Sequence, residues 1–407
     1  MSGARSAGLI RKARSRAILA VRRSRLFPTT IPDKLGDDDR LAGTSLPEKV
    51  LVYFPDTAES LYQIEPWYAP LRALHAELPV VVVCQDSRTA ARIRRDSGLT
   101  VLTIARYGRL DDLLARSDVR LALYVNHSPR NFECLRFTSL THIYLGHGDS
   151  DKAVSASNQV KAYDFCFVAG QAAVNRIAEH VRRYDATGRC VLIGQPQLDG
   201  VGLLPVAPAP IEAPLPPARP RVLYAPTWEG AQPSVAYSSL ASHARAMITA
   251  LLDVGYAVTY RPHPLSGVTS GEYAGADAWI RRTLTEAAGD HRIDVGNPLA
   301  QSFDDAHLLI SDVSGVALNW LPSGKPLIIT TPATVAAEES STGLTAVVPR
   351  LAVADLPQVA ELVRRQLADD PDRAQRLKLI DHYFSETTDG AATATFVAEC
   401  QRFAGER

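Results

Sequence analysis

Val80-Val81-Val82-Val83-Cys84 is an unbroken apolar run between Pro79 and the polar pair Gln85-Asp86. A run this short, apolar at successive rather than alternate positions, describes a strand covered on both faces. Such strands belong to parallel sheets sandwiched between helices. The run has counterparts at Lys49 to Phe54, Val101 to Ile104, Leu121 to Val125, Ile143 to Leu145 and Asp164 to Val168. Segments of helical spacing separate several of them: Trp67 to Leu78, Ser87 to Ser97 and Leu110 to Arg116. Strand-helix alternation of this kind predicts a doubly wound α/β domain.

The pattern breaks once. Between Gly194 and Pro220 it gives way to Pro, Ala and Leu, with prolines at 205, 208, 210, 214, 216, 217 and 220, the composition of a semi-rigid linker. Alternation then restarts. Arg221 to Ala225, Tyr256 to Tyr260, Ala306 to Ile310 and Pro326 to Thr330 read as strands. Ser239 to Asp253, Leu356 to Asp369, Arg373 to Phe384 and Ala391 to Phe403 read as helices. A chain of 407 residues accommodates two such domains better than one. The expected fold class is therefore α/β of GT-B architecture, two Rossmann-like parallel-sheet domains facing a cleft. The expected divisions are a basic segment 1–42, a first domain 43–198, a linker 199–220, a second domain 221–385 and a closing helix 386–407.

Lys and Arg together number 44, equal to Asp plus Glu, which argues against a bulk nucleic-acid binder. The five cysteines form no CxxC pair, which speaks for a reducing compartment and against a disulfide framework or zinc site. No apolar run reaches membrane-spanning length, so a cytoplasmic protein is expected. Charge is nonetheless uneven: residues 1–25 hold eight basic side chains and no acid. Wound as a helix, Leu9, Ile10, Ala13, Ala17, Ala20 and Val21 share one side, the pattern of a segment lying on an anionic membrane surface. A basic tail is the competing reading.

Chemistry concentrates where strands end, because ligands of open α/β sheets bind outside the carboxyl ends of the strands. The run before Gly146 ends in Gly146-His147-Gly148-Asp149-Ser150-Asp151-Lys152, and the run ending at Tyr260 leads into Arg261-Pro262-His263-Pro264. Leu309-Ile310 leads into Ser311-Asp312-Val313-Ser314-Gly315. Hydroxyls, glycine and backbone N–H groups in such a turn suit a phosphate. An ordinary helix N-cap uses the same residues.

Five motifs follow in order: Gly146-His147-Gly148 with Lys152, Tyr224-Ala225-Pro226-Thr227-Trp228, Arg261-Pro262-His263-Pro264, Ser311-Asp312-Val313-Ser314-Gly315, and Gly324-Lys325-Pro326-Leu327-Ile328. Together they resemble the CDP-glycerol glycerophosphotransferase family of teichoic acid synthesis, over roughly Leu121 to Thr331. The resemblance implies transfer of a polyol-phosphate, glycerol-phosphate first of all, from a CDP-linked donor to a lipid-linked acceptor, with CMP released. It implies His147 as base toward the acceptor hydroxyl and His263 at the donor diphosphate, with Arg261 beside it. Thr227, Ser311, Ser314 and Gly315 match phosphate-binding positions, and Asp312 matches a residue that orients the turn or a histidine. Asp149, Lys152 and Asn126 are candidates for the acceptor cleft.

Hydroxyl, backbone, arginine and imidazole donors suffice for a departing phosphate. No metal is therefore expected to be obligatory, and a loosely held Mg²⁺ on the diphosphate stays compatible with the reading. The basic segment would keep the protein at the inner face of the membrane, where lipid-linked acceptors sit.

The chain departs from the family pattern at Asp149-Ser150-Asp151, where a Thr-Pro pair is common, at Gly315 in place of a serine, and at Asn319 in place of an aspartate. The acidic pair would meet an acceptor hydroxyl or cap a helix. The departures leave CDP-ribitol or another CDP-polyol open as donor. Two rival functions stand beside this one: a GT-B nucleotide-sugar glycosyltransferase or epimerase, and a nucleotide-binding regulator without turnover. His142, His307, Trp67 and Trp320 read as structural. Asn126, His127 and Asn131 read equally as cleft residues or as the polar end of a strand, and Glu338-Glu339 as a ribose contact or a solvated helix start.

Overall fold

The computed structural model describes residues 34–151, 156–200, 219–230, 236–297, 299–333 and 343–405. The basic segment of residues 1–25 and most of the proline-rich linker, 201–218, lie outside the described residues.

The strands in chain order are β1 (Val50–Phe54), β2 (Val80–Cys84), β3 (Thr100–Thr103), β4 (Leu121–Tyr124), β5 (Thr141–Tyr144), β6 (Phe165–Val168), β7 (Cys190–Leu192), β8 (Arg221–Ala225), β9 (Ala257–Tyr260), β10 (Arg292–Ile293), β11 (Leu308–Ser311), β12 (Leu327–Thr330) and β13 (Arg350–Leu351). They form two sheets, seven strands in the order β3-β2-β1-β4-β5-β6-β7 and six in the order β10-β9-β8-β11-β12-β13. The pairings are parallel, as between β8 and β11, where Tyr224 stands opposite Ile310. By compactness the chain divides into two units between Thr141 and His142.

In the first unit every residue of β1, β2 and β4 is buried, as unbroken apolar runs require. The helix Ser87–Ser97 starts where Asp86 accepts the N–H groups of Arg88 and Thr89, and ends at Gly98 with φ 71°. Asp37 is also buried and accepts the Thr103 N–H at 2.8 Å, so the acidic turn docks on the end of β3.

In the second unit, one apolar cluster holds Leu309, Leu327, Trp320 and Phe303 and another holds Val222, Val258, Ile310 and Ile328, one on each face of the six-stranded sheet. Trp67 and Trp320 are core residues, as expected. All five cysteines are free, and Cys84, Cys134, Cys166 and Cys400 are buried.

Several helices depart from their expected bounds; the one expected from Leu110 begins at Tyr107. The one expected from Ser239 begins at Ala244, because Ser238 donates to the Thr227 carbonyl at 2.8 Å and the Ser239 N–H is taken by Asp312. The segment from Arg373 to Phe384 divides into Arg373–Lys378 and Ile380–Tyr383. Leu356 and Pro357 lie in a 3₁₀ turn ahead of Val359–Asp369. The sixteen-residue helix Gly271–Glu286 had no expectation behind it; two glycines and only Ile280 and Leu284 as buried residues blur its periodicity.

Candidate functional site

All the motif residues but Asn126 lie in the second unit. After β5, Gly146 takes φ 69°, a left-handed turn that side-chain-bearing residues resist, and the next residue, His147, is exposed. Beyond it, the acidic pair has partners of its own. Arg176, on the helix Gln171–His180, holds Asp149 at 2.5 Å and Asp151 at 2.8 Å. The other oxygen of Asp151 accepts from the Tyr383 hydroxyl and, at 3.4 Å, from the N–H of Leu344, the first residue of the helix Leu344–Val347. Asp149 is thus one arm of an ion pair, and Asp151 accepts the N–H that opens a helix. Lys152 lies outside the described residues, as do Glu338 and Glu339.

The turns after β8 and β11 are joined by Asp312. Its fully buried carboxylate accepts the Thr227 N–H at 2.7 Å, the Ser239 N–H at 3.2 Å and the Thr330 hydroxyl at 2.6 Å. Burial raises its pKa above the ordinary carboxylate value, and these donors act in the opposite sense. Asp312 therefore ties these turns together through its carboxylate. Ser311 donates to the Ala225 carbonyl at 2.7 Å and lies 3.1 Å from the Ser314 hydroxyl. Ser314 is the N-cap of the helix Gly315–Trp320, so the capping reading holds for this side chain. A Cβ on Gly315 would lie 3.0 Å from the Asp149 carbonyl oxygen. That close approach accounts for glycine where the family tends to have serine, and it brings the loop bearing His147 against the Ser-Asp-Val-Ser turn.

After β9, the two histidine-motif side chains part company. The guanidinium of Arg261 is tied to Asp294 at 2.7 Å, Ser302 at 3.0 Å and the Asn297 carbonyl at 2.9 Å, and so anchors the loop. His263 accepts the Leu265 N–H on Nδ1 at 3.1 Å, which places the proton of the neutral ring on Nε2. Trp228 stacks beside it, ring centroids 6.4 Å apart.

The far end of this loop is held by Glu229, whose carboxylate accepts the N–H groups of Gly267, Thr269 and Ser270 ahead of the helix Gly271–Glu286. Burial opposes its charge, but these donors prevail and its pKa falls below the ordinary value. A depressed carboxylate stabilises the fold above its unfolded pKa and loses that contribution as pH falls through the folded one. Glu229→Gln is therefore expected to lower the melting temperature most near neutrality, with the gap to wild type closing in acid. A gap independent of pH would remove the carboxylate's charge from the explanation.

Lys325 of the Gly-Lys-Pro motif is also structural. Its ammonium donates to the carbonyls of Phe303, Asp304 and Ala306 at the end of the helix Leu299–Asp305. His307 accepts the Arg221 N–H, as its structural reading requires, and His142 lies within β5.

In the first unit, Asn126 is buried and donates to Asp56 at 2.7 Å and Gln63 at 2.6 Å, while Asn131 donates to its carbonyl. It ties the strand end together.

Arg176, Tyr383, Glu229, Ser239 and Thr330 were not expected from sequence. Each reaches a motif from a distant segment, except Glu229, which directly follows Trp228. Among the described residues no group of three or more His, Cys, Asp or Glu side chains is placed to hold a metal ion, and no helix is long and apolar enough to cross a membrane.

Residues 138–399 match the family CDP-Glycerol:Poly(glycerophosphate) glycerophosphotransferase. The chain belongs to this family. It is accordingly a transferase, and no curated protein matches it in sequence. Among solved structures it resembles the wall teichoic acid polymerase TagF with CDPG, at TM-score 0.57 and 12% identity over 88% of each chain. It resembles S. aureus MnaA with UDP at TM-score 0.57 and 11% identity, over 88% of this chain and 96% of that one. A glycosyltransferase from Rickettsia africae matches at TM-score 0.53 and 10% identity, over 88% and 99%. These likenesses establish the GT-B fold of the family member.

Proposed function

We propose that the protein transfers a polyol-phosphate, glycerol-phosphate in the first instance, from a CDP-linked donor to a lipid-linked acceptor of the teichoic-acid type at the inner face of the membrane. The family supports the reaction class, and the TagF likeness includes a structure with CDPG. The observation that carries the reading is the contact between two motif loops, with Asp149 against Gly315, which brings the segment bearing exposed His147 to the Ser311–Ser314 turn.

In the reaction, an acceptor hydroxyl attacks the phosphorus that bears the polyol. The new O–P bond forms as the bond to the CMP oxygen breaks, and the hydroxyl proton passes to His147. The Nε2–H of His263 meets the diphosphate as a neutral donor, needing no ionised imidazole. The reading calls for no obligatory metal. The basic segment at residues 1–25 would supply attraction to anionic lipid.

The test is calorimetric titration of the purified protein with CDP-glycerol, CDP-ribitol, CMP and UDP-sugars. Selective CDP-polyol binding, weakened roughly 10–100-fold by His263→Ala, is the expected result. Preference for a UDP-sugar would move the protein to carbon-centred sugar chemistry and overturn the proposal.

A further inference from the structure

Three chain segments converge on the two carboxylates that follow His147. Arg176 bridges Asp149 and Asp151 with separate nitrogens of one guanidinium, and its side chain is only 11% exposed. Tyr383 donates its hydroxyl to the remaining oxygen of Asp151 and accepts the Leu344 N–H at 2.9 Å. Arg176 and Tyr383 are themselves held together. Gly170 is the N-cap of the helix that carries Arg176, and a Cβ there would lie 2.5 Å from the Tyr383 carbonyl carbon and 2.7 Å from the Phe384 nitrogen. Ser385 then returns its N–H to the Ala169 carbonyl at 2.8 Å. A side chain on Gly343 would meet the Tyr383 hydroxyl, so this turn too is shaped around the tyrosine.

The loop from Gly146 to Asp151 therefore has few positions open to it. Its far end is clamped by a paired guanidinium and a phenol, and its middle rests on Gly315. An ordinary surface loop bearing an exposed histidine needs no such apparatus. A residue whose ring must meet a hydroxyl in line with a phosphorus does, because misplacement of about 1 Å is enough to cost roughly 100-fold in rate.

Resting on the proposed function, we infer that Arg176 and Tyr383 are positioning residues: through Asp149 and Asp151 they set where His147 stands relative to the acceptor hydroxyl, and neither touches a substrate. The clamp reads as this chain's counterpart to the rigidity that a Thr-Pro pair would give the loop.

The experiment compares wild type with Arg176→Ala, Arg176→Lys, Tyr383→Phe and the Arg176→Ala/Tyr383→Phe double variant. Two readouts are used: CMP release from CDP-glycerol with a lipid acceptor, and amide hydrogen exchange across 146–151 without substrate. Arg176→Ala should lower kcat roughly 10–100-fold with the donor KM little changed, and should speed exchange in the loop. Arg176→Lys should recover part of the loss. The double variant should lose less than the product of the single losses, because both side chains act on one carboxylate. Tyr383→Phe removes one hydroxyl and keeps the ring, so it reports even if Arg176→Ala folds poorly.

Unchanged exchange across 146–151 in the variants overturns the inference whatever turnover does. So does a loss that appears in donor KM with kcat intact. A wild type that releases no CMP from any CDP-polyol overturns the functional reading instead, and the exchange data then decide the clamp by themselves.

Discussion

His147→Ala is expected to reduce CMP release roughly 10²–10⁴-fold, the range for loss of a general base, while donor affinity measured by titration stays at the wild-type level. The split follows from placement. His147 is exposed in the loop after β5, whereas the contacts proposed for the donor come from the turns after β8, β9 and β11. Glycine at 146 turns the chain at φ 69°, and the clamp at Asp149 and Asp151 fixes the other end, so the substitution deletes a ring without releasing the loop. His147→Asn gives a polar control of similar reach that cannot take the proton. A variant with wild-type turnover would remove His147 from the chemistry. A variant with weakened donor binding and unchanged kcat would move it to the donor side.

The largest stability effect is expected at Asp312. Asp312→Ala leaves three buried donors without an acceptor: the N–H of Thr227, the N–H of Ser239 and the hydroxyl of Thr330. At about 1–3 kcal/mol for each orphaned group, with partial relaxation, a loss of about 3–5 kcal/mol follows. Asp312→Asn should rescue little. One carboxylate oxygen faces an N–H and the other faces an N–H and a hydroxyl, so an amide set either way turns its own NH₂ toward a donor. Thr330→Val, which deletes one donor with its cavity filled, should cost far less. Denaturant unfolding measures all three, and an Asp312→Ala midpoint equal to wild type would end the account of Asp312 as the tie between the turns.

The fold was largely legible because parallel strands announce themselves. The runs at Val80 and Leu121 are apolar throughout, that at Arg221 is apolar after its first residue, and each is a strand buried along its whole length. Less legible were elements defined by distant partners. Ser239 has helical spacing, yet its N–H is claimed by Asp312, and the helix begins five residues later. The site shows the same limit. Motif spacing located the strand ends correctly but could not apportion labour within a motif. Arg261 and His263 are two residues apart, and only the structure sends one to Asp294 and leaves the other on the loop with its Nε2 proton. Lys325 lies within one of the five motifs, and its ammonium caps a helix. Arg176 and Tyr383 carried no local signal, since their meaning depends on Asp149 and Asp151, 25 to 27 residues from the first and 232 residues from Asp151 to the second.

The segment from Arg261 to Ser270 is fastened before any donor arrives, at one end by the fork of Arg261 and at the other by the carboxylate of Glu229. Ordering a mobile loop of that length on binding would take back much of the free energy its contacts release. Here that conformational entropy is already surrendered when the chain folds. On the proposed function, a diphosphate meeting His263 would keep nearly the whole benefit of each hydrogen bond, although it has few groups to offer.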